Sequence, residues 1–432
     1  MTATAAAAAA DASALDDFDP AVRREALEKI RATARWPART HDVNLHCHTF
    51  YSYNAYGYSP THVAVLARAL GLEVAGTVDF DGLDSAGELL EAARLLRLRA
   101  VASLESRVFV PELAGVVINS PGEPGIAYHM GVGFPGPVEH PFIAETGAAT
   151  AGRIRDLVSR VNPFTQPVEL DYERDVLPLT PGGHATERHV CEAFERRARA
   201  VFPDTVDFEA FWREKLGASP PEGSELQGLI RSRLVKQGGV GYIQPDSGSF
   251  PSMGEMNQAV LECGAIPTLA WLDGTSDGER DVERLFAVAI ASGAAALNII
   301  PDRNYTPGVR DERLENLYAV VAAAERHGFP IVVGTEMNAH GNKLVDDFGS
   351  AELRPLAPVF LRGARIVYAH SVLQRQRGLG YLGPWAQRTF ASTTTRNAFY
   401  AEIGRRVGPA TEHLLRELPT DATPDAVLAR LA

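Results

Sequence analysis

Two histidines one residue apart, His46 and His48, are the first candidates for chemistry along the chain. They end the stretch DVNLHCH at residues 42–48 and open a loop rich in tyrosine. Because side chains two residues apart point to the same side of a strand, both imidazoles could bind one ion. The spacing leaves one alternative open, in which two histidines at the rim make only ordinary hydrogen bonds.

Other polar side chains also end segments that we predict to be strands. Glu105 ends VASLE and His129 lies in IAYHMGV, and the same position is taken in other segments by Asp79, Asp81, Glu336, Asn338 and His370. Each residue alone could be a helix cap, a solvated carboxylate or a hydrogen-bonded histidine. Together they recur at the corresponding end of almost every predicted strand, which indicates a shared site.

Strand-like and helical segments alternate along the elements that must position these residues. Ser59 and Pro60 predict a helix start before THVAVLARAL, and Gly71 predicts its end. The predicted strands are 42–47, 72–80, 99–110, IAYHMGV, AIPTLAW, AAALNII, FPIVVGTEMN and ARIVYAH. Seven or so such βα repeats predict an α/β fold with a parallel, barrel-like sheet, whose loops after the strands share one rim.

This rhythm stops between residues 145 and 255, which are mostly helical with long polar connections. The sequence therefore predicts a barrel built from 41–144 and 256–400 with a helical insertion at 145–255. Residues 1–40 are predicted to be a tail and a lead-in helix, and 401–432 to be C-terminal helices.

Composition restricts the class of protein. Apolar residues make up 45% of the chain and charged residues 22%, and no apolar stretch is long enough to cross a bilayer. The net charge of −12 argues against nonspecific binding of nucleic acid. The first residues lack the features of an export signal, and three scattered cysteines do not predict a disulfide framework. We expect a cytoplasmic protein with a small-molecule substrate; the oligomeric state stays open.

The order of these motifs resembles that of the polymerase and histidinol phosphatase (PHP) domain family. That pattern is a strand ending HxHT, a serine-containing loop, a Ser-Pro helix start and a strand ending TDHD. This chain has NLHCHTFYSYNAYGYSP, ARALGLEVAG and TVDFD in the same order, and the resemblance covers 42–133 and, less continuously, 255–371. It implies a distorted (β/α)7 TIM-like barrel with a helical insertion, and a metal-dependent phosphoesterase.

The resemblance also implies roles for individual residues. His46 and His48 match the first metal-binding pair, Glu105 the bridging carboxylate, and His129 and His370 two later histidine ligands. Imidazole and carboxylate ligands suit Zn, Mn or Fe, and such ions lower the pKa of water and neutralise charge on phosphoryl oxygens. Catalytic roles are expected for Glu105, His370 and Asp81.

Four positions depart from the family pattern. Phe80, Trp271 and Tyr368 stand where the family has His, His and Asp, and Asn54 stands where a loop His or Asp is common. Phenyl and indole rings cannot bind a metal, so the chain is expected to hold one or two ions rather than three. Asp79, Asp81 and Asp273 are possible substitute ligands.

The substrate is expected to meet residues in the loops that follow the strands. These candidates are Arg303, Arg375, Tyr53, Asn54 and Asn338, because arginines can grip an anion and the tyrosine ring can contact an organic group. Three functions stay open at this point. They are a phosphoesterase, a barrel adapted to other metal-assisted chemistry (a lyase, or hydrolysis of C–N or C–O bonds), and a noncatalytic binding barrel.

Overall fold

Seven strands form one sheet in the computed structural model of the protein, which describes residues 12–221, 224–305 and 311–431. The predicted tail at residues 1–11 lies outside this range. In chain order the strands are β1 Val43–Asn44, β2 Val74–Phe80, β3 Arg99–Phe109, β4 Ile126–Phe134, β5 Ile266–Trp271, β6 Ala296–Ile299 and β7 Ile331–Val333.

Helices flank the strands and fill the insertion. They are α1 Ala12–Leu15, α2 Pro20–Thr33, α3 Pro60–Leu70, α4 Asp84–Leu96, α5 Pro141–Thr165, α6 Glu187–Val201, α7 Thr205–Leu216, α8 Ser224–Ile230, α9 Met253–Glu262, α10 Asp277–Arg280, α11 Val282–Ala291, α12 Asp302–Tyr305, α13 Asp311–His327, α14 Ala357–Arg377, α15 Pro384–Thr389, α16 Thr393–Arg406 and α17 Pro424–Ala429. Short π segments occur at Tyr172–Val176 and Arg231–Val235, and short 3-10 segments at Pro111–Leu113, Leu177–Leu179 and Glu412–Glu417. In the described ranges, no helix combines the length and apolar character needed to span a membrane.

The sheet closes almost completely into a distorted TIM-like barrel. Its strand order is β1 to β7, and the two outer strands meet beyond their ends, where Leu45 N donates to Val333 O at 2.8 Å and His48 N donates to Glu336 O at 2.8 Å. The residues that follow β1 and β7 are thus held side by side. This closure confirms the predicted fold class and brings His48 close to Glu336.

The helix after β1 agrees closely with the prediction. α3 begins after Ser59, whose side chain accepts from His62 N, and has Pro60 at its first position. It ends at Gly71, which adopts the left-handed conformation with φ of 76°. Glycine has no Cβ, so it takes this conformation without a steric penalty.

One strand runs against the predicted parallel direction. β4 pairs antiparallel with both β3 and β5, whereas the other neighbouring strands are parallel. The connection between β3 and β4 contains only the 3-10 turn Pro111–Leu113. A parallel neighbour is usually reached through a crossover helix, and residues 110–125 contain no α-helix, so the chain returns beside β3 in the opposite direction.

A second correction concerns ARIVYAH, which is not a strand. It lies within α14, and His370 is therefore on a helix rather than at a strand end. Ile366, Val367, Tyr368 and Ala369 are all buried there. A helix that is buried all round gives the same continuous apolar run as a buried strand, so the pattern alone cannot separate them.

The insertion has a hydrophobic core of its own. Buried residues from Ile154 to Val235 form one cluster, in which the Trp212 side chain is fully buried. The barrel cluster is separate and extends into the C-terminal helices through Tyr400 and Ile403. The boundaries at 145 and 255 stay a prediction, and the observed α5 begins at Pro141.

Candidate metal centre

Three potential ligands meet inside the barrel beyond the end of β1. His46 and His48 follow β1, and Glu105 lies in β3. Glu105 Oε2 is 3.7 Å from His46 Nε2 and 3.4 Å from His48 Nε2, and all three side chains are buried. Among the His, Cys, Asp and Glu side chains of the described residues, these three have ligand atoms that lie close enough together to hold one metal ion.

The converging atoms have no hydrogen-bond partner. His46 Nε2, His48 Nε2 and Glu105 Oε2 are each buried and unsatisfied among the described residues. A buried polar atom without a partner costs about 1–3 kcal/mol, and more when it carries charge. A cation between the three atoms would satisfy all of them at once.

The opposite ring nitrogens fix how the two imidazoles are presented. Ser52 donates its one hydroxyl proton to Asp79 Oδ1 at 2.5 Å, so Ser52 Oγ must accept from His48 Nδ1–H at 3.0 Å. His46 Nδ1 is 3.2 Å from Asn298 Oδ1, which is also an acceptor. In the neutral form of each ring, protonation at Nδ1 leaves the Nε2 lone pair free. This arrangement is typical of histidines that bind metal.

Replacing Ser52 by alanine is expected to weaken metal binding without removing a ligand. The His48 ring would lose the partner that holds its orientation, which typically costs 10- to 100-fold, roughly, in metal affinity. Competition with a chromogenic chelator measures the affinity. Ser159→Ala, on an exposed turn of α5, is the matched control. Equal affinity in the Ser52 and Ser159 variants would show that Ser52 does not position His48.

The carboxylates around the centre create a field that attracts positive charge. Burial lowers the pKa of His48, but Glu105, Glu336 and Asp79 oppose burial and hold this pKa above its ordinary value. Burial dominates at His46 and lowers its pKa. Burial would raise the pKa of Glu336, yet Arg303, His46 and His48 lower it to about 2. Glu336 is therefore ionised beside the two histidines.

Glu336 was recognised as a polar residue after β7 but was not predicted to be a ligand. Its Oε2 lies 3.9 Å from His48 Nε2, its Oε1 accepts from Arg303 Nη2 at 3.2 Å, and Asn338 Nδ2 also donates to it. The sequence feature that could have identified Glu336 is its position in VVGTEMN, because it ends a predicted strand as His48 and Glu105 do. Only barrel closure shows that it stands next to His48.

Backbone strain also collects at this site. Tyr53, Asp81, Glu336 and Met337 have φ values of 113°, 55°, 64° and 58°, although none is glycine. Positive φ is costly for such residues and persists where the surrounding structure enforces it, often at functional sites. Tyr53, Asp81 and Glu336 all line the cavity described next.

A cavity of about 820 Å³ lies between the barrel and the insertion, and two of the three ligands, His48 and Glu105, line it. Several predicted site residues line it, namely His48, Tyr53, Asp81, Glu105, Arg303 and Asn338. The insertion adds cationic side chains that the sequence did not single out, among them Arg153, Arg188, Arg231 and Lys236. The Phe80 ring stacks on His48 with ring centroids 4.9 Å apart.

Two of the predicted ligands lie elsewhere. His129 Nε2 contacts Asn257 Oδ1 of α9 at 2.6 Å, because alternation along β4 places its neighbour Tyr128 in the cavity and turns His129 away. His370 is on α14, and its Nδ1 accepts from Tyr381 N at 2.9 Å. The structure therefore does not bring His129 or His370 to the metal centre, and it gives His370 no catalytic position.

These two buried histidines predict a loss of stability in acid. Burial lowers the pKa of His129 and of His370 to about 4, whereas unfolded histidine titrates near 6.5. The unfolded chain therefore binds more protons in this window, and the free energy of unfolding should fall as pH decreases from about 6.5 to about 4, by roughly 3 kcal/mol per ring. Urea unfolding at a series of pH values measures this. His129→Gln should show a shallower dependence and exposed His413→Gln an unchanged one; stability independent of pH would contradict the expectation.

Two predicted substrate contacts are structural instead. Arg375 lies in the last turn of α14 and pairs with Glu412 at 2.8 Å, because the segment before it is helical. Asn54 is folded into its own loop, where Nδ2 donates to His48 O at 2.8 Å and Oδ1 accepts from Tyr56 N at 2.9 Å. Asn54 therefore supports the loop behind His48.

Two of the changed family positions and two of the possible substitute ligands make other contacts in the structure. Trp271 is fully buried in the barrel core, and Tyr368 donates to Glu412 Oε1 at 2.7 Å. Asp79 supports His48 through Ser52, whereas Asp273 pairs with Arg313 at 3.3 Å.

Comparison with known proteins gives a limited result. No family model and no curated protein matches the sequence. The chain is similar to an amidohydrolase structure from Chromobacterium violaceum with bound sulfate and no metal (16% identity, 74% of this chain, 96% of that chain, TM-score 0.49). It is also similar to a proposed metal-dependent phosphoesterase from Bifidobacterium adolescentis (21% identity, 75% of this chain, 98% of that chain, TM-score 0.49). At these identities and TM-scores neither match assigns an activity.

Proposed function

We propose that the protein is a metal-dependent hydrolase, specifically a phosphoesterase that acts on a small anionic substrate. The observation that carries this proposal is the convergence of three buried, unpartnered ligand atoms, from His46, His48 and Glu105, at a cavity of substrate size. Two imidazoles and a carboxylate suit Zn, Mn or Fe. The PHP-like order of the sequence motifs supports the same reaction class.

His46, His48 and Glu105 would hold the cation, and Glu336 is placed to serve as a further ligand. A divalent ion, when bound, supplies Lewis acidity: it lowers the pKa of water and offsets negative charge on the substrate. We propose one or two ions rather than three, because Phe80 stacks on His48 and Trp271 lies in the apolar core.

Side chains of the cavity orient the substrate and handle its charge. Arg303 stands beside Glu336, and Arg188 donates to Asn338 Oδ1 at 3.3 Å, so both guanidinium groups can reach an anion near the ligands. Asp81 is the proposed proton acceptor. Its Oδ2 accepts from Thr150 Oγ1 at 2.6 Å and its Oδ1 from Ser106, which fixes the carboxylate at the cavity wall. Tyr53 adds a ring to the same wall.

Elemental analysis of protein purified without added metal tests the proposal first. We expect between one and two equivalents of a divalent transition metal per chain, and hydrolysis of phosphomonoesters or phosphodiesters in a panel supplied with Mn, Zn or Fe. Exposed His41→Ala is the control for incidental binding and should retain the metal. Metal without phosphate release, but with hydrolysis of amides or a lyase reaction, would replace the phosphoesterase assignment. A metal-free, inactive protein would leave a noncatalytic barrel.

A further inference from the structure

Four cationic side chains of the cavity wall share an aromatic ring or a carboxylate in pairs, and we call Arg107, Arg153, Arg231 and Lys236 the cationic cluster. Arg107 comes from β3, Arg153 from α5, and the other two from the π segment Arg231–Val235 and the residue after it. Their carboxylate contacts are with Glu123 and Glu187 rather than with Glu105 and Glu336 of the metal centre. This concentration of positive charge is unexpected in a chain of net charge −12.

Arg107 and Arg153 lie against the same aromatic ring. Their guanidinium carbons are 4.3 and 4.7 Å from the centroid of Phe250, so two like charges are held together in a low-dielectric wall. Arg107 is 3.2 Å from Glu123. Arg153, in contrast, donates to Thr150 Oγ1 and to Ser249 O, both of which are uncharged. Thr150 Oγ1 in turn donates to Asp81 Oδ2, and Asp81 Oδ1 accepts from Ser106. The hydrogen bonds therefore connect Arg153 to the Asp81 carboxylate only through Thr150.

Arg231 and Lys236 share a single carboxylate. Glu187 Oε2 is 3.2 Å from Arg231 and 2.7 Å from Lys236. Burial would raise the pKa of Glu187, but Lys236, Arg231 and Arg107 lower it to about 2. The four cations of the cluster thus form direct ion pairs with two carboxylates, Glu123 and Glu187. Their contact with a third carboxylate, Asp81, runs through the Thr150 hydroxyl group. Partly buried cations in excess of their carboxylates are stabilised when an anion binds between them.

We propose that the cationic cluster binds a second anionic group of the substrate, at the other end from the group that reacts at the metal centre. The substrate would then be a small molecule with a phosphate ester at one end and a carboxylate or a second phosphate at the other. Phe80 and Tyr128 line the same cavity, which suits a planar or apolar spacer between the two anions. This inference rests on the proposed function for the identity of the reacting group.

Three aromatic phosphates that differ only at the far end test the inference. They are phenyl phosphate, 4-carboxyphenyl phosphate and 1,4-phenylene bisphosphate. We expect a second anion to raise kcat/KM by about 10- to 100-fold over phenyl phosphate, because a charge-assisted hydrogen bond contributes roughly that factor. The two compounds that carry a second anionic group distinguish a carboxylate from a phosphate as the preferred group. Equal kcat/KM for all three compounds would overturn the inference.

Variants of Arg153 assign the effect to the cluster. In Arg153→Gln the ratio of kcat/KM between the two-anion and one-anion compounds should fall to about 1–3, and Arg153→Lys should retain part of it, because charge remains while the fork geometry is lost. The ratio cancels any effect common to all substrates. Arg155→Gln is the matched control, because Arg155 is exposed on the same helix and pairs with Glu173. Should Arg153→Gln fail to fold, Arg231→Gln provides the same test. An undiminished ratio in these variants would refute the assignment.

Binding without turnover separates this inference from the proposed function. Calorimetric titration of chelator-treated protein with 4-carboxyphenyl phosphate and with phenyl phosphate reports the affinity without the reaction. Tighter binding of the first compound that depends on Arg153, together with no hydrolysis of either compound by the metal-loaded protein, would support the anion subsite and refute the phosphoesterase. Hydrolysis of phenyl phosphate with no preference for a second anion, in binding or in rate, would support the phosphoesterase and refute the subsite.

Discussion

Replacing Glu105 by glutamine is expected to remove most of the bound metal and to lower kcat/KM by about 10³-fold, which corresponds to several kcal/mol of electrostatic stabilisation. The amide has nearly the shape of the carboxylate, so the fold should survive. It lacks the negative charge that faces the two imidazoles at 3.4 and 3.7 Å. Metal per chain, measured by mass spectrometry after gel filtration, and kcat/KM check the result.

Comparison variants make the result for Glu105 specific. His48→Gln should behave like Glu105→Gln, whereas Glu262→Gln, on an exposed turn of α9, should retain both metal and activity. His129→Gln should also retain the metal, because His129 contacts Asn257 away from the cavity. Full metal occupancy and activity in Glu105→Gln would disprove the proposed centre, and loss of metal in His129→Gln would restore the ligand set implied by the family resemblance.

Replacing Gly363 by alanine is expected to destabilise the barrel by about 3 kcal/mol or more. Gly363 lies in α14 where this helix packs on β7, and a Cβ there would stand 1.8 Å from Ile331 O and 2.7 Å from Ile331 N. The obstacle is the backbone of β7, which cannot move without disturbing its pairing with β6. The helix would therefore have to shift outward. Urea unfolding followed by circular dichroism measures the loss.

Gly152 provides the matched control for Gly363. It also lies inside a helix, α5, but a Cβ at this position meets no atom within 4 Å. Gly152→Ala should therefore stabilise the protein by roughly 0.5–1 kcal/mol, the ordinary gain from replacing glycine in a helix. Unfolding free energies that change alike in the two variants would show that close packing at Gly363 does not hold α14 against β7.

Local patterns in the sequence were sufficient for several elements. Ser59, Pro60 and Gly71 predicted the limits of α3 because caps and first-turn prolines act within one turn of the chain. β2 and β3 were also predicted, and the recurrence of polar residues after strands pointed to the rim where His46, His48 and Glu105 meet. In these cases the physical determinant lies within a few residues of the feature.

Other features depend on contacts between distant segments. His370 was misplaced because an apolar run cannot distinguish a buried helix from a strand, and α14 is a helix buried against β7. His129 was assigned to the site because the sequence does not show that β4 returns antiparallel with His129 facing α9. Glu336 becomes a neighbour of His48 only when β7 pairs with the segment after β1.

Periodicity and spacing, which are local properties, were enough to predict the barrel class and to place His46, His48 and Glu105 at strand ends. The role of Glu105 as a shared ligand was implied by the family resemblance. Which strand-end residues lie together depends on the closed barrel, and so does the finding that Arg153 of the insertion lines the same cavity as Glu105 of the barrel. Those two residues are 48 positions apart and on separately packed units. No local rule relates them, because their proximity results from the packing of the insertion over the barrel.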